Sequence, residues 1–316
     1  MTTLLIEAKN LSRYYGKHCA VDNVSFSLSK GEVLGFLGPN GAGKTTTMQM
    51  LCGNLAPSTG QISINSYDLL EQPKQAKKYL GYLPDTPPLY KELTVNEFLE
   101  YCARLHRVPF RETSHAVNTA KSRCGLTDVA DRLIINLSKG YQQRIGIAQA
   151  ILHNPEIIIL DEPTVGLDPI QIREIRSLIK ELGTDHGVIL STHILPEVQA
   201  SCTHVQIINQ GKLILKETIN GLNQRMNTTT IKVVTRVPIE IDLFLAISSI
   251  SSVEKTGNTS YLMHHDQNNN PIEQIAEIIV NSGWGIQELT PIKKSMEDIF
   301  IKLTTEQTGS IKKDIN

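Results

Sequence analysis

The chain has 316 residues, 40% of them hydrophobic and 20% charged, with a formal net charge of -1. That length allows about two domains, each with its own core, and a near-neutral balance gives no electrostatic case for nucleic acid or an anionic lipid surface as partner. No apolar run approaches the roughly 20 residues of a membrane-spanning helix, the opening Met1-Thr2-Thr3-Leu4 lacks the basic and apolar regions of a signal peptide, and five scattered cysteines (Cys19, Cys52, Cys102, Cys124, Cys202) suit buried thiols in a reducing cytosol better than disulfides or zinc.

In chain order, Leu4 to Ala8 reads as a first strand and Tyr14-Tyr15-Gly16 as a turn carrying two exposed aromatics. Val24, Phe26 and Leu28 alternate with polar residues, the period of a half-buried strand. Lys30-Gly31 then turns the chain into the apolar run Val33 to Leu37, which leads into Gly38-Pro39-Asn40-Gly41-Ala42-Gly43-Lys44-Thr45-Thr46. The Gly-x-x-x-x-Gly-Lys-Thr spacing is that of a phosphate-binding loop. Consecutive backbone N–H groups form a concave anion site that glycines allow to curl tightly. A helix expected from Lys44 adds the positive end of its dipole. Lys44 is placed to reach the β- and γ-phosphates and the Thr45 hydroxyl to hold Mg²⁺. The plain alternative is a glycine-rich turn between a strand and a helix.

Gly53 and Pro57 stop that helix near Leu51, and Gln61 to Asn65 alternates as a short strand. Gly81-Tyr82-Leu83-Pro84 is a strand end, after which Pro84, Pro87 and Pro88 force a loop. From Thr94 to about Leu133 the pattern is helical: Thr94 with Glu97 makes a capping box, and Val95, Phe98, Leu99, Cys102 and Leu105 share one face. Arg104, His106 and Arg107 form a basic helix end expected in solvent or complementing the helix's C-terminal dipole. Leu137-Ser138-Lys139-Gly140 is a loop leading into a helix from Tyr141 to His153. Ile157 to Leu160 is an apolar strand closed by Asp161-Glu162, a helix runs from Pro169 to Leu182, and the strand Val188 to Leu190 delivers Ser191-Thr192-His193 to a loop. Strands alternating with helices imply right-handed crossovers and a mainly parallel sheet, with the early strands as an antiparallel addition. The polar stretch Gly221 to Thr229 marks a boundary. Beyond it, strands at Thr230 to Arg236, Ser252 to Lys255, Ser260 to His264 and Ile286 to Leu289, with helices at Glu240 to Ile247 and Pro271 to Asn281, make a split-βαβ order. A last amphipathic helix is expected from Ser295-Met296-Glu297-Asp298-Ile299-Phe300, with a frayed tail after Thr305.

An apolar strand ending in Asp161-Glu162 is the second half expected of a phosphate-loop site. Asp161 can bind Mg²⁺ directly or through water, and Glu162 is placed to polarise the water that attacks the γ-phosphate. A pair of surface carboxylates at a strand end is the competing reading. His264-His265-Asp266 suggests a metal site by composition, but neighbouring side chains on a strand face opposite ways, which argues against one.

From about Leu4 to Leu222 the motifs, in this order, resemble those of the ABC ATPases. Leu137-Ser138-Lys139-Gly140-Tyr141 stands for the family's Leu-Ser-Gly-Gly-Gln signature, Gly166-Leu167-Asp168 is similar to the D-loop, and His193 to the switch histidine. The resemblance implies an α/β P-loop NTPase fold over residues 1–222, a mixed sheet with an antiparallel β-subdomain and a helical subdomain at about 94–140. A small α+β accessory domain, ferredoxin-like, would occupy 223–316. It implies that Tyr15 stacks on adenine, and that Ser138 and Gly140 serve the γ-phosphate of ATP held by the opposite subunit of a homodimer or pseudo-dimer. Asp168 would lie at the dimer seam, and His193 would sense the γ-phosphate. It further implies ATP and Mg²⁺ as cofactors, ATP hydrolysis, a separate transmembrane permease as partner, and a peripheral place at the cytoplasmic face of the inner membrane. Two departures stand out. Lys139 and Tyr141 replace a glycine and a glutamine, and Asp85 stands where the family places its Q-loop glutamine, adding a charge near Mg²⁺ and losing an amide donor. Both features resemble the exporter branch that includes gliding-motility and multidrug efflux ATPases. A soluble ABC ATPase acting on a ribosome or DNA is the alternative, disfavoured by a single nucleotide domain and near-neutral charge.

Overall fold

The computed structural model describes residues 3–226, 230–266 and 271–292. The chain begins with two long antiparallel strands, β1 (Leu4–Tyr15) and β2 (His18–Ser29), joined at Gly16, whose φ of 59° a two-residue reversal requires. The strand therefore continues through Tyr15, where a turn was expected. Register shifts at Leu11 and Arg13 break the strict alternation by which a strand is recognised, so its second half is not legible as one.

β3 (Val33–Leu37) is buried along its whole length and runs into α1 (Lys44–Leu51). β4 (Thr59–Ile64) and β5 (Tyr67–Asp68) complete a four-stranded antiparallel sheet, ordered β2-β1-β4-β5. A short α2 (Pro73–Ala76) precedes β6 (Leu80–Leu83). Three helices follow: α3 (Val95–Leu105), α4 (Phe110–Arg123) and α5 (Lys139–Ile151). The Thr94–Glu97 capping box forms as expected, whereas Leu105 turns out to solvent at 63% exposure while Val95, Phe98, Leu99 and Cys102 are buried. α5 starts two residues before the expected Tyr141, because the Ser138 hydroxyl accepts from the Tyr141 N–H and so acts as the N-cap.

β7 (Ile157–Asp161), α6 (Pro169–Asp185) and β8 (Gly187–Thr192) follow. The next stretch, read without elements from the sequence, holds α7 (Leu195–Ser201), β9 (His204–Asn209) and β10 (Lys212–Thr218), before α8 (Ile219–Met226). The second sheet has six strands in the order β10-β9-β3-β8-β7-β6, parallel throughout except for β10 against β9. Strands covered on both faces read as unbroken apolar runs, as β3, β7 and β8 do. Register pairs Leu37 with Thr192 and Asp161 with Ser191. The phosphate loop, Glu162 and His193 therefore leave the sheet along one carboxyl-terminal edge, the edge where open α/β sheets bind ligands.

The chain divides into two compact units, Met1–Ile219 and Asn220–Asn316. The second contains β11 (Thr230–Thr235), α9 (Ile241–Leu245), β12 (Ile250–Lys255), β13 (Ser260–His265), α10 (Ile272–Asn281) and β14 (Ile286–Pro291). Its antiparallel sheet is ordered β12-β13-β11-β14, the ferredoxin-like interleaving of two βαβ units. Tyr261, fully buried in that core, donates to the Ile239 carbonyl (2.9 Å) and accepts from the Ile239 N–H (2.6 Å). The helix expected from Ser295 to Phe300 and the tail after Thr305 lie outside the described residues. Among the described residues no helix is long and apolar enough to cross a membrane. Four of the five cysteines are buried and all are free thiols.

Candidate functional site

The phosphate loop leaves β3 under tight steric constraint. A Cβ on Gly38 would stand 2.4 Å from the Ile208 carbonyl oxygen, so only glycine lets the backbone pass. Gly43, with φ 105°, caps α1 without any side-chain hydrogen bond, so the first N–H groups of that helix stay available to an anion. Lys44 folds back along the loop. Its Nζ donates to the Gly38 carbonyl (2.9 Å) and the Pro39 carbonyl (3.3 Å), and lies 3.3 Å from Glu162 Oε1.

Glu162 follows β7 in the left-handed region at φ 50°, a conformation worth about 1 kcal/mol of strain or more for a non-glycine residue. Its N–H donates to the Ser191 carbonyl on β8 at 2.8 Å, and this tie holds it there. The second oxygen of Glu162 is 2.9 Å from His193 Nδ1. Lys44, Glu162 and His193 thus form one chain of contacts, although 118 residue numbers separate the lysine from the glutamate.

Asp161 is wholly buried, and neither of its carboxylate oxygens has a hydrogen-bond partner. Burial pushes its pKa above the usual carboxylate value, against the pull of the neighbouring Ser191 and Thr45 hydroxyls. An orphaned buried carboxylate is costly unless something with charge meets it. Among the described residues no group of three or more His, Cys, Asp or Glu side chains could hold a metal by itself. A cation here would draw on Asp161, the Thr45 hydroxyl, water and phosphate oxygens, the donor set that suits Mg²⁺.

Lys44, Thr45, Glu162 and His193 line a cleft of about 560 Å³ that also takes in Tyr15, Asn40, Gly41, Thr46 and Asp85, with Asp161 buried and outside its lining. Tyr15 is 47% exposed, and the Arg13 guanidinium sits over its ring at 5.0 Å from the centroid while donating to the Ala56 carbonyl (2.9 Å). In the sequence Arg13 is one basic residue beside a turn, with no spacing that signals this contact. It covers one face of the ring. Tyr15→Ala is expected to weaken ATP binding about tenfold, the scale of one base–aromatic stack, and Tyr15→Trp to preserve it. Titration with a fluorescent ATP analogue measures both, and equal affinity in Tyr15→Ala would remove Tyr15 from the site.

Ser138, Gly140 and Asp168 do not line this cleft. Ser138 is exposed at the N-terminus of α5, its oxygen accepting from Tyr141 and its O–H free to donate. Gly140 is buried beneath the Gln171 amide, where a Cβ would come within 2.5 Å. Asp168 caps α6, accepting from the N–H groups of Ile170 and Gln171, each at 2.9 Å. Lys139 lays its exposed side chain across Gly166.

A larger cleft of about 980 Å³ contains none of these residues. Lys74, Lys77, Lys78, Arg107 and Arg123 surround it, with Glu112 as the one carboxylate. His106, exposed as expected of that helix end, stacks there on His153 at 3.9 Å between ring centroids. Burial pushes the His153 pKa down to about 4, so that ring adds no positive charge to the cleft at neutral pH.

Residues 21–165 match the family model described as ABC transporter. The chain is 34% identical to the ABC transporter ATP-binding protein YhcH of Bacillus subtilis (strain 168), over 96% of each chain. It is 32% identical to the bacitracin transport ATP-binding protein BcrA of Bacillus licheniformis, over 95% of this chain and 97% of that one. Among solved structures, an ATP binding subunit of an ABC transporter superposes with a TM-score of 0.64 at 32% identity, covering 70% of this chain and 92% of the other.

Proposed function

This chain belongs to the family of ABC transporter ATP-binding proteins and is an ATPase, and from that premise we propose that two copies, or one copy with a similar subunit, drive a separate membrane permease that exports its cargo. The observation that carries the reading is the contact chain Lys44–Glu162–His193 beside the unpartnered Asp161. In this proposal Lys44 and the α1 N-terminus hold the β- and γ-phosphates. Asp161 and the Thr45 hydroxyl would hold Mg²⁺, which neutralises phosphate charge when bound, and Asp85 adds a carboxylate at the rim. Incoming phosphates take over the charge of Lys44, which frees Glu162 Oε1 to accept a proton from the attacking water. His193 keeps Glu162 oriented through Nδ1 and reaches the γ-phosphate from the strand end.

The shared site rests on separation. Ser138, Gly140 and Asp168 stand outside the cleft, and exposed Ile135, Tyr141 and Ile170 lie close to them in the chain, an apolar margin that a second subunit would cover. The exposed Ser138 hydroxyl and the α5 N-terminus are then presented to the partner's γ-phosphate. Export is supported by the likeness to BcrA, whose name assigns it to bacitracin transport. The alternative that acts on a ribosome or DNA gains nothing from a net charge of -1.

The permease would dock on the helical part of the first unit, at the large basic cleft and the loop of Asp85, holding this subunit at the cytoplasmic face of the membrane. A volume near 980 Å³ accommodates about two turns of helix, and its cations favour an acidic segment. Reversing charge with Lys74→Glu and Lys78→Glu is expected to reduce co-purification with the permease at least tenfold and to leave the ATPase rate of the isolated subunit unchanged. Co-expression with the neighbouring membrane-protein gene tests this. Undiminished co-purification would exclude the cleft as the docking site, and no co-isolating membrane protein at all would count against the transporter reading.

A further inference from the structure

We infer that Glu197 is a positioning residue for hydrolysis: one buried carboxylate ties the segment that carries Glu162 to the segment that carries His193. Glu197 lies on α7 and is only 1% exposed. One of its oxygens accepts from the Thr164 hydroxyl, two residues after Glu162. The other accepts from the Thr192 hydroxyl at 2.8 Å, one residue before His193. Both threonines are buried as well. Thr192 Oγ1 also accepts from the Ile194 N–H at 3.1 Å, which folds the chain around His193.

The contacts close on themselves. From Glu162 the path runs through His193 (2.9 Å) to Thr192, across Glu197 to Thr164, and back along the chain to Glu162. Each threonine has one hydroxyl proton, so donating it to Glu197 fixes the side-chain rotamer and the backbone that bears it. A buried carboxylate is expensive, and a well-packed apolar residue in its place is often neutral or stabilising. What the carboxylate contributes that an apolar residue cannot is two acceptors pointing at two different segments. Glu162 sits in a left-handed conformation at φ 50°, which persists only where its surroundings dictate it. The same tie holds the start of the turn toward Asp168, in which Val165 donates to the Glu162 carbonyl and Leu167 to the Thr164 carbonyl.

The inference rests on the reading of Glu162 as general base, and one set of variants tests the two separately. Glu197→Gln keeps the shape but turns one acceptor into a donor, so one threonine hydroxyl loses its partner. It is expected to lower kcat by about tenfold to a hundredfold, the scale of a slight misplacement of the base, with KM for ATP and fluorescent-nucleotide affinity within about twofold of the parent. Thr192→Val should reproduce that loss and Thr192→Ser restore the rate, and these two remain readable should Glu197→Ala fail to fold. Because Glu197 acts through Glu162, adding Glu197→Gln to Glu162→Gln should leave the residual rate unchanged. An unaltered kcat in Glu197→Gln overturns the proposal, as does a further full loss in the Glu162→Gln background. Full turnover in Glu162→Gln alone would instead overturn the assignment of the base.

Discussion

Replacing Glu162 by glutamine is expected to leave ATP binding intact and to slow hydrolysis by about 10²–10⁴. The two oxygens of Glu162 face different partners, Lys44 Nζ at 3.3 Å and His193 Nδ1 at 2.9 Å. Glutamine has the same shape, and its carbonyl oxygen can remain toward the lysine while the amide nitrogen turns to the imidazole, which accepts in the matching tautomer. The phosphate loop and Lys44 are therefore undisturbed. What disappears is basicity, since an amide cannot take the proton of the attacking water. Phosphate release measures the rate and a fluorescent-nucleotide titration the affinity. Turnover within a few-fold of the parent would take the role of base away from Glu162, and a parallel loss of affinity would show that the site had collapsed.

Lys44→Ala is expected to fail one step earlier, at binding. Lys44 is buried at 5% exposure, with its ammonium held over the loop by the Gly38 and Pro39 carbonyls. A unit charge pair at about 4 Å is worth about 4 kcal/mol at an effective dielectric constant of 20, so losing the cation costs about three orders of magnitude in ATP affinity. The loss is compounded inside the protein. Glu162, with 11% of its side chain exposed, would keep its negative charge near the phosphates without the lysine between them. The two variants separate cleanly: Glu162→Gln keeps its affinity and turns over slowly, and Lys44→Ala loses affinity first. ATP affinity within tenfold of the parent in Lys44→Ala would refute the phosphate role of the lysine.

Much of the site was legible because its parts are short and local. Gly38 to Thr46 is contiguous, and its chemistry follows from a strand, a curled turn and a helix start that need no distant residue. The capping box of Thr94 and Glu97 is likewise a matter of three residues. The strand order of the second unit was legible as elements, because alternation survives in the strands β11 and β13, which have one buried face. The misreadings also have local causes. Bulges hid the second half of β1, and Leu105 continues an apolar spacing that the protein does not use for burial.

By itself the sequence determined the phosphate loop, the carboxylates that follow an apolar strand, the histidine after another, and the family whose motif order they share. Each of these is carried by a few adjacent residues whose spacing is the message. Only the tertiary structure decided which of them meet. Parallel pairing of β3, β7 and β8 brings Lys44, Glu162 and His193 into one chain of contacts, and leaves Ser138, Gly140 and Asp168 outside the cleft. Nor could spacing reveal Arg13 over Tyr15, or a glutamate buried between two threonines 28 residues apart. A charged residue on a short helix reads as surface until the strands that cover it are in place, because burial is a property of packing and not of the residue.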